Sequence, residues 1–359
     1  MRGDRALLQE QSTEGGNSVT TGRRYNAGVQ RAKGLLEMTA ALYDSSLSYE
    51  SKRGAQGAIQ TDSRLGSHLK LSLTEASAGQ KDGVDLSISQ GGFRELNAVG
   101  EGKLSLLWIN PSVAATMAFK GTGPFTQPMP LRTIAVFPSR DIVGFAVHRS
   151  TGVTSLEQIK KARIPLRLST GRRVKPPFVQ DSTMFTVTSV LQAAGFTLAD
   201  VRRWGGRIQS VPRPSHPDRR GAIEDGKINA VFDEGIMSWG QPALEHGFRF
   251  LPVAGTVRSR MLAMGYRAAV MSTVRFPGLG ENVETLDFSG WPMVVHAEMA
   301  DDVAYALCEA IEARREVIPT DNYRPLDMSQ ICADGAETPC DIPFHPGALK
   351  FYREKGYLK

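Results

Sequence analysis

One phrase is written twice in this chain. Glu101-Gly102-Lys103-Leu104 returns as Asp225-Gly226-Lys227-Ile228. Each copy follows a helical stretch and opens an apolar run with a polar tail, Asn110-Pro111-Ser112 in one and Asp233-Glu234-Gly235 in the other. The glycine supplies the left-handed residue that ends a helix, and the lysine beside it is expected to help satisfy the last carbonyls. Any strand-helix unit can use a Gly-Lys turn, so one match alone says little. Two copies in a chain of 359 residues, each downstream of a strand ending in serine (Ser89 and Ser169), predict two similar lobes. A chain of that length can give each lobe its own core.

The rest of the pattern agrees with an α/β class. Short apolar runs at 69–73, 84–89, 104–109, 132–137, 143–148, 165–168, 207–211, 230–232 and 248–251 read as strands. The unbroken run at 104–109 has the composition of a strand buried on both faces. Helices are expected over 93–99, from a capping box at Thr154-Ser155-Leu156-Glu157, from Asp181-Ser182-Thr183 to Gly195, from Asp301-Asp302 to about 317, and after Pro346-Gly347. Before these, 1–66 reads as a polar segment with one helix at 24–43 and a linker at 45–67. Alternating strands and helices imply mostly parallel sheets.

In such sheets ligands sit beyond the carboxyl ends of the strands. Ser89, Gln90, Gly91, Gly92, Asn110, Pro111 and Ser112 would then line one wall of a cleft between the lobes. Ser169, Asp181, Ser182, Thr183, Asp233 and Glu234 would line the other. Helix-start amides and hydroxyls together make anion sites. Three roles stand open for Asp233-Glu234: holding a ligand ammonium, acting as a general base, or capping a helix through 236–239. Phe93, Trp239 and Trp291 are either cleft walls or core.

Composition narrows the function classes. A hydrophobic share of 41% with 22% charged residues is that of a globular protein, and the net charge of +6 comes from dispersed pairs such as Arg202-Arg203 and Arg219-Arg220. Without a basic stripe, these pairs are expected on solvated faces, and no nucleic-acid partner is expected. The longest apolar stretch is broken at Asn110-Pro111-Ser112, so no membrane insertion is expected. The start of the chain has no charged segment followed by an apolar run; a complete sequence would therefore be cytoplasmic unless a leader has been removed. Six scattered histidines lack metal-ligand spacing, and no phosphate loop or nucleophile elbow occurs, so no metal, cofactor or catalytic set is expected. Cys332 and Cys340 flank a short loop and could pair in an oxidising compartment, whereas Cys308 reads as a buried thiol.

The stretches "GEGKLSLLWINPSVAATMAFKGTGPF", "LRTIAVFPSRDIVGFAVHRSTGVTSLEQIKKARIPLRLST", "IEDGKINAVFDEG" and "HPGALKFYREKGY" resemble the TAXI family of solute-binding receptors of TRAP transporters. The resemblance runs from about residue 84 to the C-terminus. It implies a two-lobed type II periplasmic-binding-protein fold with lobe I at 67–148 and 286–359 and lobe II at 149–285. It also implies a periplasmic location, a small organic anion or zwitterion such as a carboxylate or amino acid as ligand, and a TRAP membrane permease as partner. Two other functions fit the same fold: a cytoplasmic lyase or hydrolase using Asp233 or Glu234 as base, and a ligand-sensing regulator domain.

Overall fold

The computed structural model describes residues 55–62, 68–75, 83–171, 181–316, 318 and 324–359, and over 55–91 only the course of the backbone. The helix expected at 24–43 lies outside the described residues. The linker expected at 45–67 does not hold throughout, because β1 (Ala55–Asp62) pairs antiparallel with β2 (His68–Glu75). Ladder hydrogen bonds can recruit a polar strand for which composition gives no signal.

Two sheets organise the molecule. The first has the order β1-β2-β3-β4-β13-β5, with β3 (Gly83–Gly91), β4 (Leu106–Ile109), β5 (Leu131–Phe137) and β13 (Trp291–His296). The second has the order β10-β6-β9-β7-β8, with β6 (Gly144–His148), β7 (Arg167–Gly171), β8 (Arg207–Val211), β9 (Ala230–Asp233) and β10 (Phe248–Leu251). A ribbon of β11 (Ala268–Met271) and β12 (Val283–Leu286) stands beside them. The chain crosses from the first sheet to the second after β5 and returns between β12 and β13. The result is a two-lobed α/β fold.

The repeated phrase occupies the same place in both lobes. In lobe I, α1 (Phe93–Gly100) ends at Gly102, φ 69°, and leads into β4 and then α2 (Ser112–Lys120). In lobe II the same path runs from α6 (Pro217–Glu224) through Gly226, φ 65°, to β9. The capping bonds coincide: the Gly102 and Leu104 amides donate to the Val99 and Ala98 carbonyls, and the Gly226 and Ile228 amides to those of Ile223 and Ala222. Each turn lysine differs from expectation in the same way. Lys103 and Lys227 both lie 2.6 Å from the acid two residues earlier, Glu101 and Asp225. An exposed ammonium is better matched by a full carboxylate charge than by a carbonyl dipole.

The neighbouring strands keep the register. Ser89 of β3 sits opposite Leu107 of β4, and Ser169 of β7 opposite Val231 of β9, both pairs parallel. Beyond them β4-β13-β5 in lobe I matches β9-β6-β10 in lobe II, antiparallel at each step. One difference stands out. In lobe II the strand before the echo helix is β8, and β7 lies between it and β9; in lobe I, β3 itself pairs with β4.

Among the described residues, three apolar clusters hold this together. One joins α1, α2 and β4 of lobe I to β7, β9 and α4 (Ser182–Ala193) of lobe II. A second packs β4, β5 and β13 under α9 (Asp301–Ala313) and α11 (Pro346–Glu354). The third packs β6, β9 and β10 against α6 and α7 (Gly240–Glu245). Because the first cluster crosses between lobes, burial of apolar area holds them together as well as the chain does. Among the described residues no helix is long and apolar enough to cross a membrane.

Candidate functional site

In both lobes the carboxyl ends of the parallel strands point to the two crossover segments. Those segments run side by side: the Val143 amide donates to the Leu286 carbonyl and the Phe288 amide to that of Asp141. Here lobe I meets lobe II. The Ser182 hydroxyl at the start of α4 donates to the Asn110 carbonyl at the end of β4, 3.3 Å away. Asp181 caps α4 by accepting from the Met184 amide at 2.7 Å, which explains why Asp-Ser-Thr begins a helix. Phe93 and Phe185 close the seam edge to face, with centroids 5.3 Å apart.

On the lobe I side, the Asn110 side-chain amide donates to the Gly290 carbonyl and the Ser112 amide to that of Ser289. The Ser112 hydroxyl is buried and has no hydrogen-bond partner among the described residues. It lies so close to Gly290 that a Cβ there would stand 2.2 Å from Oγ. Close approach and a φ of 80° both require glycine at 290. Gly92 precedes α1, and its amide donates to the Glu95 carboxylate at 2.8 Å. Ser89, Gln90 and Gly91 occupy the end of β3, with Gln90 opposite Trp108 and Gly91 opposite Ile109.

The second wall is built differently from expectation. Asp233 is buried at 1% exposure, and its carboxylate pairs with the guanidinium of Arg219, which is fully buried. Arg219 also donates through Nε to the Ser169 hydroxyl at 3.1 Å and through Nη1 to the Pro214 carbonyl at 3.3 Å. Burial pushes the Asp233 carboxyl up, against the pull of Arg219. The partner of Asp233 in this structure is thus a cation of the chain itself, and Ser169 belongs to the same enclosed network. Neither acid caps a helix either: 236–239 form a turn, and α7 begins only at Gly240. Trp239 is core, tilted 35° against Phe250 and lying 5.9 Å from the Arg219 guanidinium.

Arg219 is the residue the sequence reading missed, since an Arg-Arg pair suggests a solvated face. The signal was present: Arg219, Ala222 and Ile223 share one helical face, and all three are buried. Arg220, on another face, pairs with Glu224 at 2.8 Å.

Glu234 meets a second missed residue, Asp141 of the first crossover. The Asp141 carboxylate accepts from the amides of Ile142 at 2.8 Å and Gly235 at 3.0 Å, and the Glu234 side chain hydrogen-bonds to it. Burial pushes the Asp141 carboxyl up to about 6, against the opposing pull of Glu234, those amides and Arg275. Two carboxyl groups in contact favour sharing one proton over carrying two charges. This pair spans hinge and lobe II, which sequence distance hides.

The cysteines are all free thiols. Cys332 and Cys340 do not pair: Cys340 Sγ lies 3.1 Å from the Ile342 carbonyl oxygen, and Cys332 Sγ 3.5 Å from that of Ser329. Trp291 packs against Trp108, centroids 5.2 Å apart. Among the described residues, no group of three or more His, Cys, Asp or Glu side chains is arranged to hold a metal.

Two lobes joined by two crossover segments, with paired strand ends meeting at the hinge, define a two-lobed α/β fold. A sequence model of the NMT1-like family matches residues 65–356, and the chain belongs to that family. Among solved structures it is similar to a "periplasmic transporter", at 16% identity over 74% of this chain and 77% of that one, TM-score 0.31. It is also similar to PhnD1 from Prochlorococcus marinus (MIT 9301) in complex with methylphosphonate, at 10% identity over 74% and 84%, TM-score 0.34. A third is the substrate binding protein of an amino acid ABC transporter, at 9% identity over 77% and 80%, TM-score 0.27. Similarities this low say nothing about the ligand of this chain.

Proposed function

We propose that this protein is a solute-binding protein that holds a small carboxylate or amino-acid-like ligand between its lobes and hands it to a membrane permease of the TRAP type. The observation that carries the reading is the meeting of the two strand ends at the seam, where Ser182 at the start of α4 reaches the Asn110 carbonyl. The start of α2, with Ser112, and the start of α4, with Asp181, Ser182 and Thr183, then offer amides and hydroxyls to a carboxylate. Ser89, Gln90, Gly91 and Gly92 complete the lobe I wall, and Glu234 lies at the hinge end of lobe II. Asp233 and Ser169 act behind this wall, through Arg219. An enzyme using Asp233 as base is disfavoured, because that carboxylate is enclosed with a guanidinium. The permease assignment rests on the TAXI resemblance.

Thermal unfolding with a panel of organic acids, amino acids and neutral sugars tests the reading, because a ligand that binds only the folded state raises Tm by mass action. A carboxylate or amino acid should raise Tm saturably, and Ser182→Ala should diminish that shift. Stabilisation by sugars alone would overturn it.

A further inference from the structure

Beside the hinge lies a cavity of about 870 Å³ that shares no lining residue with the Asn110–Ser182 seam. Its walls come from the first crossover (Ser139, Arg140, Ile142), the second (Asp287, Ser289), the β11–β12 ribbon and the 335–339 loop. Ser289 separates the two places. Its carbonyl accepts from the Ser112 amide on the seam side, while the residue itself lines the cavity.

The charges in this cavity are unevenly committed. Arg267 is held by Asp334 at 2.7 Å and by Asp341 at 2.9 Å. Asp287 accepts from the Ser289 hydroxyl at 2.6 Å, and Glu337 from the Gln330 amide at 3.1 Å. Arg275 donates to the Arg140 carbonyl at 3.0 Å. The Arg140 side chain is exposed, and among the described residues no carboxylate pairs with it. Facing it are apolar walls. Val274 is 91% exposed and Val270 55%, the two most exposed of the described valines, and Ile142 and Pro339 continue the surface. Exposed branched side chains around a concave, partly cationic site mark a place for an apolar body with a charged end.

We propose that this hinge cavity is a second binding site, specific for an aromatic or branched monocarboxylate, whose carboxylate pairs with Arg140 and whose apolar body rests on Val270 and Val274. A second negative charge would meet Asp287 and Glu337, so dianions are excluded. Neutral polyols would leave the valine walls against polar groups. The site goes beyond the interlobe reading and does not depend on it.

The probe is 4-benzoylbenzoate, titrated calorimetrically into the full chain beside its neutral carboxamide, and then photocrosslinked and mapped by peptide mass spectrometry. Saturable binding is expected, weaker by about tenfold or more for the carboxamide and for Arg140→Gln, the scale of a lost hydrogen bond to a charged group. Val274→Asp, at an exposed position that leaves the core untouched, should weaken binding similarly through like charge. Crosslinks should fall within 268–275 or 335–339. Absence of saturable binding, equal binding of the carboxamide, or full affinity in either variant would overturn the site. So would crosslinks confined to 92–125 and 181–193, which would assign the probe to the interlobe seam.

Discussion

The two copies of the repeated phrase share a backbone and diverge in chemistry at one step. Where lobe I ends its strand on Ile109-Asn110, lobe II ends on Asp233-Glu234. Ile109 is fully buried in an apolar cluster. Asp233 is just as buried, and the Arg219 guanidinium, itself held by Ser169, and the Glu234 amide make that tolerable. Asn110 reaches the other lobe with its carbonyl, whereas Glu234 reaches the hinge with its carboxyl. The same fold unit therefore supplies a neutral strand end in one lobe and a doubly acidic one in the other. The backbone unit constrains where a strand ends far more than it constrains what the ending does.

The largest test of this contrast is the buried pair. Arg219→Ala should cost about 3–5 kcal/mol, because it strands a carboxylate in the interior. At the matching position, Ile109→Val should cost only about 1 kcal/mol, the usual effect of one lost buried methyl. Denaturant unfolding measures both. Equal costs would erase the contrast. Replacing both partners, Arg219→Met with Asp233→Leu, should restore stability to the parent level or above, since the ion pair roughly offsets its own desolvation.

The next test concerns the acidic end at the hinge. The folded value of Asp141, about 6, lies above the ordinary 3.8, so the folded state holds a proton that the unfolded chain releases between those values. The corresponding stability is fully present below pH 3.8 and is lost as pH rises through about 6. Allowing for the partial exposure of this group, the loss should be about 1–2 kcal/mol. Asp141→Asn, a neutral acceptor of the same shape, should remove it. Unfolding free energies from pH 4 to about pH 8 that run parallel in parent and variant would show that the carboxyl pair shares no proton.

The smallest effect sharpens the likeness of the two copies. A Cβ at Gly102 or at Gly226 would meet nothing within 4 Å, so alanine at either bears only the cost of the left-handed conformation. That cost should be about 1 kcal/mol at both positions. Clearly unequal values would mean that the two turns are alike in geometry but not in energy.

The local grammar was legible in the chain before folding. The apolar runs became β4, β6, β9 and β10, the Gly-Lys turns came out left-handed at glycine, and Asp181 capped its helix. These outcomes depend on dihedral preference, capping and periodicity, all decided within a few residues of chain. The repeat extended that reach, because two identical local solutions imply two similar lobes. The partners were set by the packing of distant segments: Arg219 for Asp233, Glu234 for Asp141, Gly290 for Ser112, and the free thiols of Cys332 and Cys340. A buried charge must find a counter-charge somewhere, but nothing local says where. The Asp141 pair is made between segments far apart in the chain, and Arg219 was hidden by its likeness to the exposed Arg220. The strand added by 55–62 was invisible for a related reason, since backbone ladders form between polar residues as readily as between apolar ones once a neighbouring strand is in place.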